Sequence, residues 1–426
     1  MNISIIHFIW QNLLFNTQHL YTTDNESIQI IHKGTINTHS GPDFTNAKLK
    51  IAETIWAGEI EIHYKSSEWK IHKHGLDEAY DSTILHVCWE FDEPSYRTNG
   101  TKISCLALKN LVNEKVLNTY QFLIQTASPI PCHSMLNTID EFTWIFWQER
   151  LIIERLEQKL ASITLSLEQH KYNWQEVFYH SLAQTFGLKI NTPPFGILAS
   201  NLPLKILSKH KNNLEQIEAL LFGVSGFLEE PFTDDYCKRL QKEYHFLKQK
   251  YQLIEQQKSN WKFLRLMPAN FPTLRLAQFA MLIHQSNHLF SKLIEERDSE
   301  NLSSLLQVTP SSYWDTHYML DELSTKRIKR LGQATIHNII INTIVPFKFA
   351  YGKYKDIEDL KQNALDLLIS TKPETNSIVK NWAILGVKAK NSLQSQALLQ
   401  LKNEYCTKKR CLSCAIGAKV LKNETA

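Results

Sequence analysis

The sequence predicts an α+β protein, with an N-terminal α/β domain built on a mixed sheet and a large all-α domain after it. Before about residue 130 the apolar residues fall in short alternating segments, and after about residue 138 they recur at helical spacing over long segments. The change coincides with Ser128–Cys132, where two prolines end regular structure. We therefore expect domains at 1–135 and 136–426.

Composition limits the class of protein. The chain has 426 residues, of which 43% are hydrophobic and 21% charged, so it can bury a large core. No window offers the roughly 18 uninterrupted apolar residues of a membrane span, and the apolar N-terminus has no Lys or Arg before Lys33, unlike a signal peptide. Seven cysteines are too few for a disulfide scaffold of this size. These features predict a cytoplasmic protein without a membrane partner.

The N-terminal domain is predicted to open with a helix, because apolar residues from Ile6 to Leu14 recur at helical spacing. Alternating or continuous apolar patterns then predict strands, with a short crossover at 69–80 before the fourth strand. The predicted strands are 27–32, 47–51, 55–65, 83–90 and 102–108.

The second domain is predicted to contain helices only. Asp140 is a candidate cap for a helix that begins near Glu141, and a Pro-rich turn at 267–272 precedes another helix through Leu282. Further helices are predicted at 174–186, 214–222, 234–254, 356–369 and 392–401.

Charge differs between the two domains. Residues 1–135 hold 10 basic and 14 acidic side chains, whereas residues 136–426 hold 37 and 29. A positive helical domain is compatible with a nucleic-acid partner, and Lys326–Arg330 is its most basic run. An ordinary solvated surface explains the same balance.

The third predicted strand carries four ionisable residues on one face: Glu59, Glu61, His63 and Lys65. Such groups are costly to bury without partners, and a divalent ion is one natural partner for carboxylates, with Mg²⁺ or Mn²⁺ preferred. The alternative is that this face is the solvent side of an antiparallel sheet.

Histidines are concentrated in the same region. His63, His72, His74 and His86 are four of the 17 histidines and fall within 24 residues. They could form a zinc site, although their spacing matches no zinc motif. The alternatives are exposed loop histidines at 72 and 74 and a hydrogen-bonded core histidine at 86.

The order of helix, strands and acidic residues resembles the PD-(D/E)xK nuclease core. Pro42-Asp43 matches the first acidic position, and Glu61-Ile62-His63 lies where the acidic-x-Lys motif belongs, with His63 in place of the lysine. The resemblance implies that Asp43 and Glu61 are metal ligands, with Glu59 as an alternative ligand. His63 or Lys65 would position the attacking water or stabilise charge.

A second candidate metal site lies near the C-terminus. Cys406-x₄-Cys411-x₂-Cys414 places three of the seven cysteines within nine residues, and Cys132 is a candidate fourth ligand. Short gaps of two residues suit zinc or an iron–sulfur cluster, and some iron–sulfur nucleases related to RecB are similar in joining an early cysteine to a C-terminal trio. Three reduced thiols in a helical core are the alternative.

Over nearly its full length the chain resembles a bacterial family known as domain-of-unknown-function family 2851. The resemblance implies one cytoplasmic unit and supplies no activity. The matching motifs are His7–Trp10, Gly41–Phe44, Glu61–His63, Ser66–Trp69, His72–His74, Ile84–Val87, Ile130–Cys132, Glu218–Gly223, Arg275–Gln278 and Cys411–Cys414.

Three functions therefore compete. The first is a divalent-metal-dependent nuclease or phosphodiesterase that acts on nucleic acid through Asp43 and Glu61. The second is a non-catalytic scaffold that binds nucleic acid or protein through the helical domain. The third is a zinc-dependent hydrolase built on the histidine cluster.

Overall fold

The computed structural model describes residues 3–286 and 288–424. They form two compact units: the first runs to Trp147 and resumes at Leu401, and the second is Gln148–Gln400. The first unit is larger than the predicted domain 1–135, because the chain after Gln400 packs with the N-terminal part.

The first unit is built on a six-stranded mixed sheet in the order β1-β2-β3-β4-β5-β6. Strands β1 to β4 are antiparallel neighbours, and β5 and β6 continue the sheet in parallel with β4. Its elements are α1 (Ile3–Asn12), β1 (Leu20–Tyr21), β2 (Ser27–Ile36), β3 (Phe44–Ile51), β4 (Thr54–Lys65), α2 (Glu68–Ile71), β5 (Thr83–Glu90), β6 (Cys105–Ala107), α3 (Glu114–Gln125), the first turns of α4 (Glu141–Gln169) and α18 (Ala415–Asn423).

Burial along the strands follows their sequence patterns. In β3 the buried Ala47, Leu49 and Ile51 alternate with more exposed lysines, as expected for a strand with one wet face. In β5 every residue except the last is buried, as expected for a parallel strand covered on both faces. Both α1 and α2 pack against β4.

A bulge in β3 sets the register that builds the site. Pairing between β3 and β4 shifts between Phe44 and Ala47, where Asn46 has a positive φ of 58°. Phe44 therefore pairs with Ile60, which brings Asp43, the residue before β3, beside Glu61.

The second unit is mostly helical and has a continuous apolar core. Several helices begin at side-chain caps of the expected kind, including Asn173, Asn213 and Asp298. Its elements are the rest of α4, α5 (Trp174–Phe186), α6 (Thr192–Asn201), α7 (Leu204–His210), α8 (Leu214–Val224), α9 (Asp235–Tyr251), α10 (Pro272–Gln285), α11 (Leu289–Glu295), α12 (Ser299–Leu306), β7 (His317–Met319), β8 (Glu322–Leu323), α13 (Gln333–Ile339), α14 (Val345–Lys355), α15 (Glu358–Ser370), α16 (Ser377–Ile384) and α17 (Ser392–Gln400).

The predicted α+β class is confirmed, but the prediction of an all-α second part is wrong at one place. Strands β7 and β8 form a two-stranded antiparallel hairpin. Its turn residue Asp321 has a φ of 63°, and its carboxylate accepts hydrogen bonds from the N–H groups of Thr233 and Asp234, both at 2.8 Å. Strands of two and three residues are too short to give a periodic signal.

Most predicted elements are confirmed, and the bounds of β5 and α5 match the prediction residue for residue. Asp140 accepts a 2.8 Å hydrogen bond from the Thr143 N–H group, as its predicted capping role requires. Helix α3 was not predicted. None of the described helices combines the length and apolar character needed to span a bilayer.

A buried carboxyl group in α8 gives the second unit a pH-dependent stability. Glu218 is 2% exposed and accepts a 2.9 Å hydrogen bond from Ser311. Burial raises its pKa from an ordinary 4.5 to about 7. Because the folded pKa is the higher one, this stabilisation is full below pH 4.5 and is lost as pH rises through 7.

We expect Glu218→Gln to flatten this dependence, since the amide does not ionise. Between pH 5 and pH 8 the free energy of unfolding of the wild type should fall, relative to the variant, by up to about 3 kcal/mol. Urea unfolding at the two pH values measures this difference. Glu300→Gln on α12, at an exposed position, is the control. An unchanged pH dependence in Glu218→Gln would contradict the prediction.

Candidate metal centre

The core of the site is a reciprocal pair of hydrogen bonds between β3 and β4. The Asp43 N–H group donates to Glu61 Oε2 at 3.0 Å, and the Ile62 N–H group donates to Asp43 Oδ2 at 2.9 Å. Each carboxylate is thus held by the backbone of the other strand. Glu61 is buried at 6% exposure, so its position on β4 is not the solvent side of a sheet.

Helix α1 adds an imidazole beside Asp43. His7 Nε2 lies 3.1 Å from Asp43 Oδ2, and both side chains are about a quarter exposed. The neighbouring helix residues Phe8 and Ile9 are buried, so the packing of α1 fixes where His7 lies.

His63 on β4 joins a chain of three imidazoles. Its Nδ1 atom shares a 2.9 Å hydrogen bond with His86 Nε2 on β5, and its Nε2 atom shares one of 3.1 Å with His72 Nδ1. His86 Nδ1 in turn contacts Ser95 Oγ at 2.7 Å. The chain runs from the exposed His72 to the fully buried His86, and the prediction that His86 is a hydrogen-bonded core residue is confirmed.

His74 completes the cluster around Glu61. Its Nε2 atom lies 3.4 Å from Glu61 Oε1, and His63 Nε2 lies 3.6 Å from the same oxygen. His63, His72 and His74 each place a ligand-type nitrogen within 4.8 Å of the others. We call the set His7, Asp43, Glu61, His63, His72, His74 and His86 the acidic–histidine site.

Burial controls the protonation of this site. Burial raises the pKa of Glu61 to about 8, and the nearby Asp43 carboxylate adds to the rise. Burial lowers the pKa of His63 to about 2 and that of His86 to about 3, and the neighbouring imidazoles act in the same direction. The pKa of His74 is also lowered, chiefly by burial. His63, His74 and His86 are therefore neutral near pH 7, the form that binds metal ions.

The connection between β4 and β5 holds His72 and His74 in place. Ser66 Oγ and Ser67 Oγ donate to the Asp92 carboxylate at 2.9 and 2.7 Å, and Trp69 Nε1 donates to the Tyr96 carbonyl at 3.0 Å. The ring of Tyr80 stacks on His74 with centroids 3.8 Å apart. Hydrogen bonds to the segment after β5 therefore hold this connection.

The site could hold a divalent ion. The Nε2 atoms of His7 and His74 are buried without a hydrogen-bond partner among the described residues, and each faces a carboxylate oxygen. Zinc and manganese accept imidazole nitrogen together with carboxylate oxygen. His63, His72 and His74 form a set of three histidines, which is a ligand set of catalytic zinc.

Of the other two predicted residues, Glu59 bonds to Ser82 but still adds to the raised pKa of Glu61, and Lys65 lies away from this centre. Glu59 Oε2 accepts a 2.6 Å hydrogen bond from Ser82 Oγ. Lys65 is exposed and pairs in register with Glu90, and four residues of strand place it roughly 13 Å from Glu61. Lys65 is therefore not beside the acidic pair.

Sequence reasoning did not identify His7 as a site residue and left His72 and His74 open as loop histidines. The available signal for His7 was a single histidine within an apolar helix, which is weak. His74 looked like a loop residue, but it is 8% exposed because Tyr80 and Trp69 pack around it.

The other predicted ligands and the basic run are not among the residues of this site. Cys132, Cys406, Cys411 and Cys414 belong to the first unit, and all four are buried without a disulfide. In the second unit, Lys329 of the run Lys326–Arg330 is buried and donates to the carbonyl groups of Trp314 and Asp315 at 2.6 and 2.9 Å. The run therefore does not present all its cations to a phosphate backbone.

The chain belongs to the family described as Protein of unknown function (DUF2851), whose model matches residues 4–377. The matched range contains every residue of the acidic–histidine site. No curated protein and no solved structure gives a significant match to the chain.

Gly58 precedes the acidic residues of β4 and permits a close approach of the chain before β5. A Cβ atom at this position would lie 2.4 Å from the Ser82 carbonyl oxygen and 2.5 Å from Ile84 Cγ2. That carbonyl accepts the Glu59 N–H group at 3.1 Å. Gly58→Ala must therefore displace backbone that frames the site.

We expect Gly58→Ala to lower the free energy of unfolding by about 1–3 kcal/mol, the usual cost of overpacking. Ala57→Gly, at the exposed neighbouring position, is the control for a backbone change alone. Urea unfolding of both variants checks this, and a Gly58→Ala protein as stable as the wild type would show that the close approach is unimportant.

Proposed function

We propose that this protein is a divalent-metal-dependent nuclease or phosphodiesterase with its metal centre at the acidic–histidine site. The observation that carries the proposal is the hydrogen-bonded pairing of Asp43 with Glu61 on adjacent strands, next to neutral imidazoles. No lysine or arginine is among the groups that shift the pKa of Glu61. A bound cation would supply the missing positive charge.

His63, His72 and His74 are the proposed ligands, with Glu61 and Asp43 beside them. The imidazole nitrogens favour Mn²⁺ or Zn²⁺ over the Mg²⁺ that carboxylates alone would suit. The ion supplies a bound water of lowered pKa and stabilises charge on a phosphate group. Of the chain's own groups, His72 is exposed and contacts His63, so it lies between the buried part of the site and solvent.

The proposal agrees with the PD-(D/E)xK resemblance in the placement of its two acids. Asp43 precedes one strand and Glu61 lies on the adjacent one, followed by a crossover and a parallel strand. His63 stands where that core has lysine, and Lys65 is too distant to replace it. We therefore assign the charge-stabilising role to the metal and the histidines.

The surface beside the site suits a phosphodiester substrate. The connection that carries His72 also exposes Lys70 and Lys73, which can contact phosphate oxygens. The same connection exposes Ile71 at 70% and Leu76 at 82%. Cations and apolar side chains on one exposed connection favour a nucleic-acid strand over a small anion.

Metal binding is the first prediction of this proposal. We expect EDTA-treated protein to bind Mn²⁺ or Zn²⁺, and His74→Ala to weaken that affinity by at least about 10-fold to 100-fold. Equilibrium dialysis measures the affinity. His245→Ala is the control, because this histidine is exposed on α9 in the second unit. Equal metal binding by the two variants would remove His74 from the site.

Catalysis is the second prediction. With Mn²⁺, Mg²⁺, Zn²⁺ or EDTA, we expect metal-dependent cleavage of single- or double-stranded DNA or RNA, or of bis(p-nitrophenyl) phosphate. Glu61→Gln and Asp43→Asn should each lower the rate by about 10²-fold or more.

Glu53→Gln is the matched control, since Glu53 lies just before the same strand and its side chain is exposed. Its rate should stay within about twofold of the wild type, as expected for a group outside the metal centre. Cleavage that survives in Glu61→Gln would contradict the site. Nucleic-acid binding without cleavage under any of these conditions would instead support the scaffold hypothesis.

A further inference from the structure

Four cysteines of the first unit gather from distant parts of the chain. Cys132 precedes the 3₁₀ turn His133–Thr138, Cys406 ends a π-helical turn, Cys411 opens a short 3₁₀ turn and Cys414 is the N-cap of α18. All four are 6–7% exposed and none forms a disulfide. Some 270 residues separate Cys132 from the others in sequence, so their gathering is a property of the fold.

Packing around the cysteines holds these turns together. Helix α18 packs against the turn that follows Cys132, and the turns at Cys406 and Cys411 contact each other. A Cβ atom at Gly417 would lie 2.3 Å from the Cys411 carbonyl oxygen, so glycine is needed for this approach. Trp147 packs edge-on against Tyr405 with ring centroids 5.2 Å apart.

The four cysteine thiols interact electrostatically with one another. Cys406 interacts electrostatically with the other three, Cys132 with Cys411 and Cys414, and Cys414 with Cys411. Every pair in the set therefore interacts. Burial, followed by the neighbouring thiols, raises the pKa of Cys132 to about 12. The four side chains therefore lie close enough to serve one metal centre.

Sulfur spacing distinguishes between two kinds of metal. Among the described residues, His63, His72 and His74 form the one group with three ligand atoms within 4.8 Å of one another, so no three of these sulfurs are that close. A single tetrahedral zinc ion, with Zn–S near 2.3 Å, would need sulfurs about 3.8 Å apart. An iron–sulfur cluster spans several metal atoms, so its ligand sulfur atoms can lie farther apart. The C-x₄-C-x₂-C spacing with a remote fourth cysteine is one of its ligand patterns.

We infer that Cys132, Cys406, Cys411 and Cys414 bind one iron–sulfur cluster, which ties the segment after Gln400 to the N-terminal part of the first unit. Each cysteine binds as a thiolate after loss of its proton. Lys402 and Lys409 favour the thiolates of Cys406 and Cys411. The inference does not depend on the proposed nuclease activity, because none of the four cysteines belongs to the acidic–histidine site.

The experiment is a metal analysis of the full chain. The protein is purified without oxygen, and a second sample is reconstituted with ferrous iron and sulfide. We expect about two or four iron atoms per chain, an equal amount of acid-labile sulfide, and a broad visible absorption band that dithionite bleaches. One zinc per chain without sulfide, or no bound metal after reconstitution, would overturn the inference.

Cysteine variants then test which residues bind the cluster. Cys414→Ser and Cys132→Ser should each lose most of the iron and sulfide, whereas Cys237→Ala, at a buried cysteine of the second unit, should keep both. Far-ultraviolet circular dichroism checks that each variant is folded. The iron and sulfide content of the wild type alone decides whether a cluster is bound, so a misfolded variant leaves that result unchanged. Loss of iron in Cys237→Ala but not in Cys414→Ser would contradict the assignment.

Discussion

Two hydrogen bonds between β3 and β4 determine the rest of the site. Asp43 accepts the N–H group of Ile62 on β4, and Glu61 accepts the N–H group of Asp43 just before β3, so the backbone of the neighbouring segment holds each carboxylate. This arrangement keeps two acids close together, one of them buried. Like charges at short range are costly in a low-dielectric surrounding, and the chain supplies imidazoles there rather than ammonium or guanidinium groups.

The parallel pairing of β4 with β5 explains why the histidines join these acids. A parallel neighbour requires a crossover connection, and here that connection carries His72 and His74 back to the strand that holds His63. Register places Glu61 opposite His86. The topology thus brings the side chains of the acidic–histidine site together from neighbouring strands, one helix and one connection.

The sequence predicted those parts of the site that depend on local patterns, and not those that depend on tertiary packing. Alternation in β4 predicted that Glu61 and His63 share a face, and the Pro-Asp turn predicted Asp43 at the start of a strand. The same alternation grouped Lys65 with them, because period-two patterns say which face a residue occupies and not how far along the strand the site extends. His7 could not be predicted, since its role depends on how α1 packs against β4.

The spacing of the cysteines in the sequence also predicted only part of their cluster. The motif at 406–414 is visible in sequence, but the nearness of Cys132 depends on tertiary packing of α18 against the turn after it. The hairpin β7–β8 was not predicted, because its strands are too short to show a periodic pattern. Its turn is fixed by contacts with Thr233 and Asp234.

The division of the first unit into two stretches of chain has a consequence for synthesis on the ribosome. Helix α1 packs against the turn at Cys411, which is translated only after the whole of Gln148–Gln400. At 5–20 residues per second that stretch takes roughly 10–50 s to translate. During this interval the second unit can fold, while the apolar residues of α1 that later meet the C-terminal turn remain accessible to chaperones.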